Sequence, residues 1–308
     1  MSRIVIALGG NALGANLSDQ MKAVRKTSRK IAELIKDGHE VVLTHGNGPQ
    51  VGLMLDCFDS YKVNHDIDAF TMSVCVSITQ GYIGYDLQNF MREALLDIGL
   101  SIPVSTVITQ VIVDKDDPAF SNPTKPIGLF LNEAQAQVAR AKGEDIVKID
   151  KRGYRQVVAS PMPQHIVESA TIKTLLDAGQ LVIACGGGGI PVIEQGNHLK
   201  GVQAVIDKDF SSAKLAKLIH ADYFVILTAV EKVYIDFCTP EQSAIDTMTC
   251  KQAQEHIENG HFGKGSMLPK VQAAMQVVKQ TPSCTALITS LEGLLDGLDG
   301  MTGTRITP

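Results

Sequence analysis

Short apolar runs that end in glycine alternate along this chain with longer stretches whose apolar residues recur every three or four positions. Ile4-Val5-Ile6-Ala7-Leu8 runs into Gly9-Gly10-Asn11, and Val41-Val42-Leu43-Thr44 runs into His45-Gly46-Asn47-Gly48-Pro49. Leu181-Val182-Ile183-Ala184-Cys185 runs into four consecutive glycines, Gly186 to Gly189. Continuous apolar runs of this length predict parallel strands covered on both faces. Gln20 to Lys36 carries Val24, Ile31, Leu34 and Ile35 on one side and predicts an amphipathic helix closed by Gly38. Pro49 suits the first turn of the next helix. Asp68 to Leu96 predicts a long helix, followed by Gly99, and Ile102 to Val113 reads as a strand that is interrupted or longer than usual. In the second half Ala170–Asp177, Phe210–Ile219 and Pro269–Lys279 predict helices, and Tyr223–Val230 and Thr285–Ser290 predict strands. Thr304-Arg305-Ile306 closes the chain. The repeated order of strand, turn and helix gives an α/β fold.

Between Asp114 and Pro163 the pattern changes. Pro118, Pro123, Pro126, Pro161 and Pro163 punctuate it. Asn132 to Lys142 predicts a short helix with Asn132 as N-cap and Gln135 at the capping-box position. Arg155 to Ala159 predicts a hairpin strand. The stretch 114–163 reads as an insertion or lid, with a plain surface excursion as the alternative.

With 308 residues the chain can bury one large α/β domain or two lobes. Its net charge of −5 weighs against nucleic acid as a partner. It has no uncharged apolar run long enough for a membrane span, and strand-like sequence begins directly after Arg3 without a signal-peptide pattern. A cytoplasmic location is the expectation. The six cysteines include no CxxC pair and read as scattered reduced thiols, so no zinc site is expected.

Glycine after a buried strand lets backbone N–H groups approach a ligand closely. Three such turns, with Gly187 and Gly188 in the third, predict one anion site at the carboxyl edge of a sheet. The segment Gly46 to Gly52 is one residue too long for a dinucleotide fingerprint, and no acidic residue ends the following strand. A Walker A sequence is absent, since Gly263-Lys264-Gly265-Ser266 resembles one only superficially. Three lysines stand out. Lys125 lies in a proline-restrained turn, Lys208 lies between Asp207 and Asp209, and Lys270 lies at a predicted helix N-terminus, where a cation is disfavoured unless an anion binds. Phosphoryl transfer needs positive charge over the equatorial oxygens and little covalent help from protein. Asp209 could orient Lys208, hold a metal, or cap the helix beginning near Phe210. His45 reads as a structural residue at a strand end.

Taken together, Ala7–Ala12, His45–Gly52, Thr79–Tyr85, Asn122–Gly128, Gly186–Pro191, Ala204–Asp209 and Gly260–Lys270 resemble carbamate kinase, in the same order and over essentially the whole chain. The resemblance implies a three-layer α/β/α sandwich with a mainly parallel open sheet. It implies a homodimer, and a small protruding subdomain formed by residues 114–163 within a single 1–308 domain. It also implies the magnesium-dependent reaction ADP + carbamoyl phosphate ⇌ ATP + carbamate, without nucleic acid or membrane partners.

Carried over residue by residue, Gly9, Gly10, Asn11, Gly46, Asn47 and Gly48 would line the pocket for carbamate and the transferring phosphoryl group, with Gly187 and Gly188 beside them. Lys125 would come down from the lid onto the carbamoyl side. Lys208 and Lys270 would hold the phosphates, with Asp209 organising them. Asp207, Thr228, Ala229, Val230, Tyr234 and Met267 would sit near the nucleotide, and no protein residue is assigned to a metal. One departure stands out. The family's acidic-Asp-Ala-Gly-Arg-Gly-Trp stretch is Lys148-Ile149-Asp150-Lys151-Arg152-Gly153-Tyr154 here. Two other readings stay open: another acid kinase of the amino-acid kinase superfamily, and a nucleotide-binding regulator without catalysis.

Overall fold

The computed structural model describes residues 1–10, 17–64, 70–263 and 265–308. Asn11, Ala12, Asp68 and Lys264 lie outside the described residues. The first half runs β1 (Arg3–Leu8), α1 (Leu17–Lys36), β2 (Glu40–His45), α2 (Gly48–Asn64), α3 (Met72–Asp97), β3 (Val104–Thr106) and β4 (Gln110–Val113). Then come β5 (Lys125–Leu131), α4 (Glu133–Ala141), β6 (Ile146–Asp150), β7 (Gly153–Val158), β8 (Pro163–Ile166), α5 (Ser169–Asp177), β9 (Leu181–Ile183), β10 (Ile190–Gln195) and β11 (His198–Gly201). The remainder is α6 (Lys208–Leu218), β12 (Tyr223–Leu227), β13 (Val233–Ile235), β14 (Ser243–Ile245), β15 (Thr247–Thr249), α7 (Cys250–Glu258), α8 (Met267–Gln280), β16 (Thr285–Thr289), α9 (Leu294–Leu298) and β17 (Thr304–Thr307).

The main sheet has eight strands in the order β15-β17-β16-β12-β1-β2-β9-β3. Its pairs are parallel except β16 with β17. Successive side chains of β1 point to opposite faces, as the pleat requires. Val5 and Ala7 join the core beneath α5, α6, α7 and α8. Ile4, Ile6 and Leu8 join the core beneath α1, α3 and α9. The three-layer α/β/α arrangement follows from that division. Register sets the next level: Leu8 lies opposite both His45 and Leu227, so the turns after β1, β2 and β12 leave from one level of the carboxyl edge.

The strand predicted over Ile102–Val113 is two strands in different sheets. β3 edges the main sheet, and β4 joins a four-stranded sheet of order β11-β10-β4-β8. The break falls at Thr109, which is fully buried. Its N–H donates to Gln80 Oε1 at 2.8 Å, its carbonyl accepts from Gln80 Nε2 at 3.0 Å, and its hydroxyl accepts from Cys185 N–H at 3.0 Å. These bonds replace the ladder and turn the chain. Tyr223–Val230 is likewise strand only as far as Leu227.

Residues 125–158 form a separate three-stranded antiparallel sheet, β5-β7-β6, carrying α4. The capping box at Asn132 and Gln135 forms in full. This small sheet rests on α2 through glycine: a Cβ on Gly52 would stand 2.1 Å from Gly128 Cα. Ile127 is buried there with Val51 and Val76.

The turn after β9 is the most constrained. Cys185 is left-handed at φ 51°, and Gly187, Gly188 and Gly189 follow at 65°, 90° and 88°. A Cβ on Gly188 would stand 2.2 Å from the Ile206 carbonyl oxygen. Gly188→Ala therefore combines backbone strain with a clash against main chain. It is expected to lower unfolding free energy by about 2 kcal/mol or more in urea titration; an unchanged midpoint would show that the turn can relax.

Candidate active site

The centre of the site is the segment that enters α6. Ala204, Val205 and Ile206 are buried and bring the chain to the sheet edge. Asp207 is extended, and its Oδ1 accepts from the Asp209 N–H at 2.9 Å. Asp207, not Asp209, is thus the N-cap. Asp209 sits inside the first turn, 3% exposed, because two cations draw its carboxylate inward. Lys208 Nζ donates to Asp209 Oδ1 at 2.5 Å, and Lys270 Nζ donates to Oδ2 at 2.9 Å. Lys270 comes from the first turn of α8. The other Asp207 oxygen accepts from Lys125 Nζ, which reaches in from the first residue of β5.

Burial alone would push the Asp209 carboxyl up, but the two ammonium groups overcome it and hold Asp209 well below the usual carboxylate range. Burial pushes the Lys208 ammonium down, and its neighbour Lys270 adds to that, against the pull of Asp209. Three cations on two carboxylates leave the cluster with one positive charge in excess.

The glycine turns close around this cluster. A Cβ on Gly46 would lie 3.5 Å from Lys208 Cδ, and one on Gly9 would lie 2.5 Å from the Leu227 carbonyl oxygen. His45 lies against Gly186 and Asn47 against Gly187, where a Cβ would stand 2.4 Å and 2.2 Å away. Gly10 has open space beside it. The structure therefore brings Gly46, Asn47, Gly187, Gly188, Lys125, Asp207, Lys208, Asp209 and Lys270 together.

Hydroxyl and amide groups that the sequence reading did not single out fix these turns. Ser211 Oγ donates to the Gly188 carbonyl at 2.5 Å. Ser212 Oγ donates to the Lys208 carbonyl at 2.6 Å and meets Thr44 Oγ1 at 2.6 Å. Asn47 Nδ2 donates to Thr79 Oγ1 at 2.9 Å, and Gln80 Nε2 donates to the Gly186 carbonyl at 3.0 Å. The signal available was two adjacent serines on a helix face that packs against a sheet, where apolar residues would be the default.

The proposed nucleotide residues are more dispersed. Thr228 and Ala229 follow β12 and line a cavity of about 220 Å³ with Ala23, Lys26 and Leu291. Val230 is half-buried behind them. Tyr234 lies in β13 with its ring centroid 5.8 Å from that of Phe237. Met267 opens α8, one turn before Lys270. Among the described residues no hydrogen bond joins Thr228, Ala229, Val230 or Tyr234 to the lysine cluster. No group of three or more His, Cys, Asp or Glu is placed to hold a metal among the described residues, and both oxygens of Asp209 are taken by lysines.

The model of the amino acid kinase family matches residues 2–290. A carbamate kinase-like protein of Escherichia coli, YqeA, is 54% identical over 305 residues, 99% of this chain and 98% of its own length. The carbamate kinase of Clostridium perfringens is 47% identical over 311 residues, 99% of each chain. The chain belongs to the amino acid kinase family, among its carbamate kinases. It is a carbamate kinase or carbamate kinase-like phosphotransferase, dependent on ATP. The carbamate kinase of Giardia lamblia bound to AMP-PNP superposes on it with a TM-score of 0.88 at 37% identity, covering 99% of this chain and 98% of that one.

His45, at the end of β2, is 1% exposed, and its Nδ1 lies 3.0 Å from the Gly46 carbonyl. Burial, with Lys208 nearby, pushes its imidazole down to about 4. A depressed histidine is neutral in the folded state while the unfolded chain still takes up a proton. Its stabilisation is complete above the ordinary value near ~6.5 and is lost as pH falls towards the folded value. This group should cost about 2 kcal/mol of stability between pH 7.5 and pH 5. Urea unfolding of the wild type and His45→Gln at both pH values checks it: the slope should shrink in the variant, and equal slopes would assign the acid sensitivity elsewhere.

Proposed function

We propose that the site transfers a phosphoryl group in line between the β-phosphate of ADP and a carbamate oxygen, forming ATP from ADP and carbamoyl phosphate and running in reverse. The observation that carries this reading is the convergence of Lys125, Lys208 and Lys270 on Asp207 and Asp209, beside the turns after β2 and β9. A transferring phosphoryl group gathers negative charge on its equatorial oxygens. Preorganised ammonium groups stabilise that charge without reorganisation at the moment of reaction. Asp209 holds Lys208 and Lys270 apart and in place. Carbamate is already an anion, so the attacking oxygen needs no side-chain base.

Lys125 has a distinct part. It belongs to the separate sheet of residues 125–158, read here as a lid, while the other two lysines belong to helices of the main body. Gly46, Asn47, Gly48 and Gly187, with Gly9 and Gly10, line the carbamate and phosphoryl side, and Gly188, whose N–H donates to the Cys185 carbonyl at 3.0 Å, shapes the turn behind them. Asn11 is assigned there by the resemblance alone. Thr228, Ala229, Val230, Tyr234 and Met267 take the nucleotide. Magnesium fits this site as a companion of the nucleotide phosphates, its usual mode of binding. Asp207 is the carboxylate best able to help hold it, because its lysine partner is on the lid. The ion neutralises phosphate charge when bound.

The Tyr154 that replaces the family's tryptophan keeps the β6–β7 turn anchored. Its hydroxyl donates to Glu133, and the Arg140 guanidinium lies 5.2 Å from its ring centroid. The altered stretch thus retains a built contact with α4.

Purified protein should form ATP from ADP and carbamoyl phosphate in the presence of magnesium. Lys125→Ala should lower turnover by roughly 10²-fold or more, the scale for one preorganised charge, while ADP affinity by calorimetry stays within about threefold. No ATP from protein that binds ADP would favour the regulator; parallel loss of turnover and ADP binding would move Lys125 to the nucleotide side.

The proposed homodimer rests on apolar side chains that α2 and α3 leave in solvent, including Leu53, Tyr61, Val74 and Tyr85. A pair of copies would cover such a face. Light scattering at micromolar concentration should give twice the 33.1 kDa chain mass; a monomer would refute it.

A further inference from the structure

Arg155, in the middle strand of the small sheet, is a cation with no part in the transfer described for the three lysines. Its guanidinium is half-buried and tightly held. Nε donates to the Ile127 carbonyl at 3.2 Å, and one terminal nitrogen, Nη2, donates to the Gly128 carbonyl at 2.8 Å. Both acceptors lie where the β5–β7 register shifts after Ile127, so the side chain fills the irregularity in the ladder. The other terminal nitrogen has no acceptor among the described residues, and no carboxylate among them pairs with the group. Burial and the neighbouring Arg152 both push the guanidinium down from its ordinary value.

Its position makes this lack of a counter-charge informative. A Cβ on Gly48 would lie 3.9 Å from Arg155 Nη2 and 3.9 Å from the Pro126 carbonyl oxygen. Arg155 thus stands over the first residue of α2, in the turn that also carries Gly46 and Asn47. The first turn of α2 holds no acidic residue. A cation facing the positive end of a helix is unfavourable unless an anion lies between them. Lys125 is the next charge along the lid, and it is already matched by Asp207. Arg155 has no carboxylate beside it among the described residues, and its guanidinium carbon faces the Phe130 ring, 5.5 Å from the centroid.

We propose that Arg155 is a substrate-contacting residue: its free fork binds the carbamoyl end of the substrate, the group that becomes the carbamate carboxylate as the phosphoryl group leaves. A planar guanidinium suits a planar carboxylate in a way that an ammonium does not. The division of labour is then by chemistry. Lys208 and Lys270 meet the phosphoryl charge, Lys125 bridges lid and body, and Arg155 selects the small planar acid. Gly48 is the residue that leaves room for it, since a side chain there would occupy the gap.

This inference rests on the proposed reaction, and the test separates the two. Steady-state kinetics would compare the wild type with Arg155→Gln, which can still donate to the lid carbonyls but carries no charge, and with Arg155→Lys. The expected result is a KM for carbamoyl phosphate raised about tenfold or more in Arg155→Gln, an ADP KM within about twofold, a melting temperature within a few degrees of the wild type, and partial recovery in Arg155→Lys. An unchanged KM for carbamoyl phosphate, or both KM values rising together, would overturn it. If Arg155→Gln does not fold, the same split in Arg155→Lys decides. A wild type without turnover overturns the reaction instead. In that case the melting-temperature rise given by carbamoyl phosphate alone is the readout, and a rise equal in wild type and Arg155→Lys overturns the assignment of Arg155.

Discussion

Everything at this site depends on one buried carboxylate shared by two lysines. Asp209 has almost no contact with water, and a carboxylate in that position is tolerable only if it is matched. Lys208 and Lys270 match it, and each is itself tolerable only because of Asp209. The three groups come from the amino ends of α6 and α8, so the pairing also fixes how those helices sit against each other. Removing the carboxylate would leave two buried ammonium groups facing each other, the most costly way to break such a set. The excess positive charge that remains when all three are present is what a phosphoryl group can use. Stability and chemistry are therefore the same arrangement seen with and without substrate.

Much of this was legible in the sequence because the fold's main features are local or periodic. Strands covered on both faces must be apolar along their buried middle, and Ile4–Leu8 of β1, Val41–Leu43 of β2 and Phe224–Leu227 of β12 are. Glycine was needed where the chain approaches its own backbone, as at Gly9 and Gly188, and those positions announced the sheet edge. Asn132 and Gln135 announced their helix because a capping box is settled within four residues. The site was legible in its residue types, since Lys125, Asp207, Lys208, Asp209 and Lys270 were all singled out before their partners were known.

What could not be read depended on partners far away in the chain. The strand over Ile102–Val113 divides because Gln80 and Cys185 take the hydrogen bonds of Thr109, and nothing near Thr109 signals this. Two aspartates flank Lys208 at equally good capping positions. Asp207 caps because Lys270, 61 residues further on, claims Asp209 for the interior. Lys125 and Asp207 are 82 residues apart, and their pairing appears only once the small sheet is laid on the body. β13, β14 and β15, three residues each, and α9, five residues, offer too few positions for a period to emerge, whereas α7 carries a capping box at Thr249 and Gln252 that the sequence reading did not single out. Ser211 and Ser212 were not singled out in the sequence and are fully buried, Ser211 holding the Gly188 carbonyl and Ser212 the Lys208 carbonyl.

The small sheet meets the main body by two kinds of contact that respond differently to a ligand. Gly52 and Gly128 touch backbone to backbone, a close fit with no side chain to adjust, and Ile127 is sealed in apolar surroundings beside them. That contact behaves as a fixed seat. The Lys125–Asp207 pair and the position of Arg155 over Gly48 are electrostatic, and their balance changes when an anion arrives. A substrate anion between Arg155 and α2 would turn a repulsion into two attractions, while the glycine seat keeps the strands from shifting along α2. The energetic difference between the empty and the occupied site is then concentrated at the charged end of the sheet. In the proposed reaction that is the end where carbamate and the transferring phosphoryl group have to be brought into line, so the charges proposed to recognise the acid would also be the ones that hold the small sheet onto it.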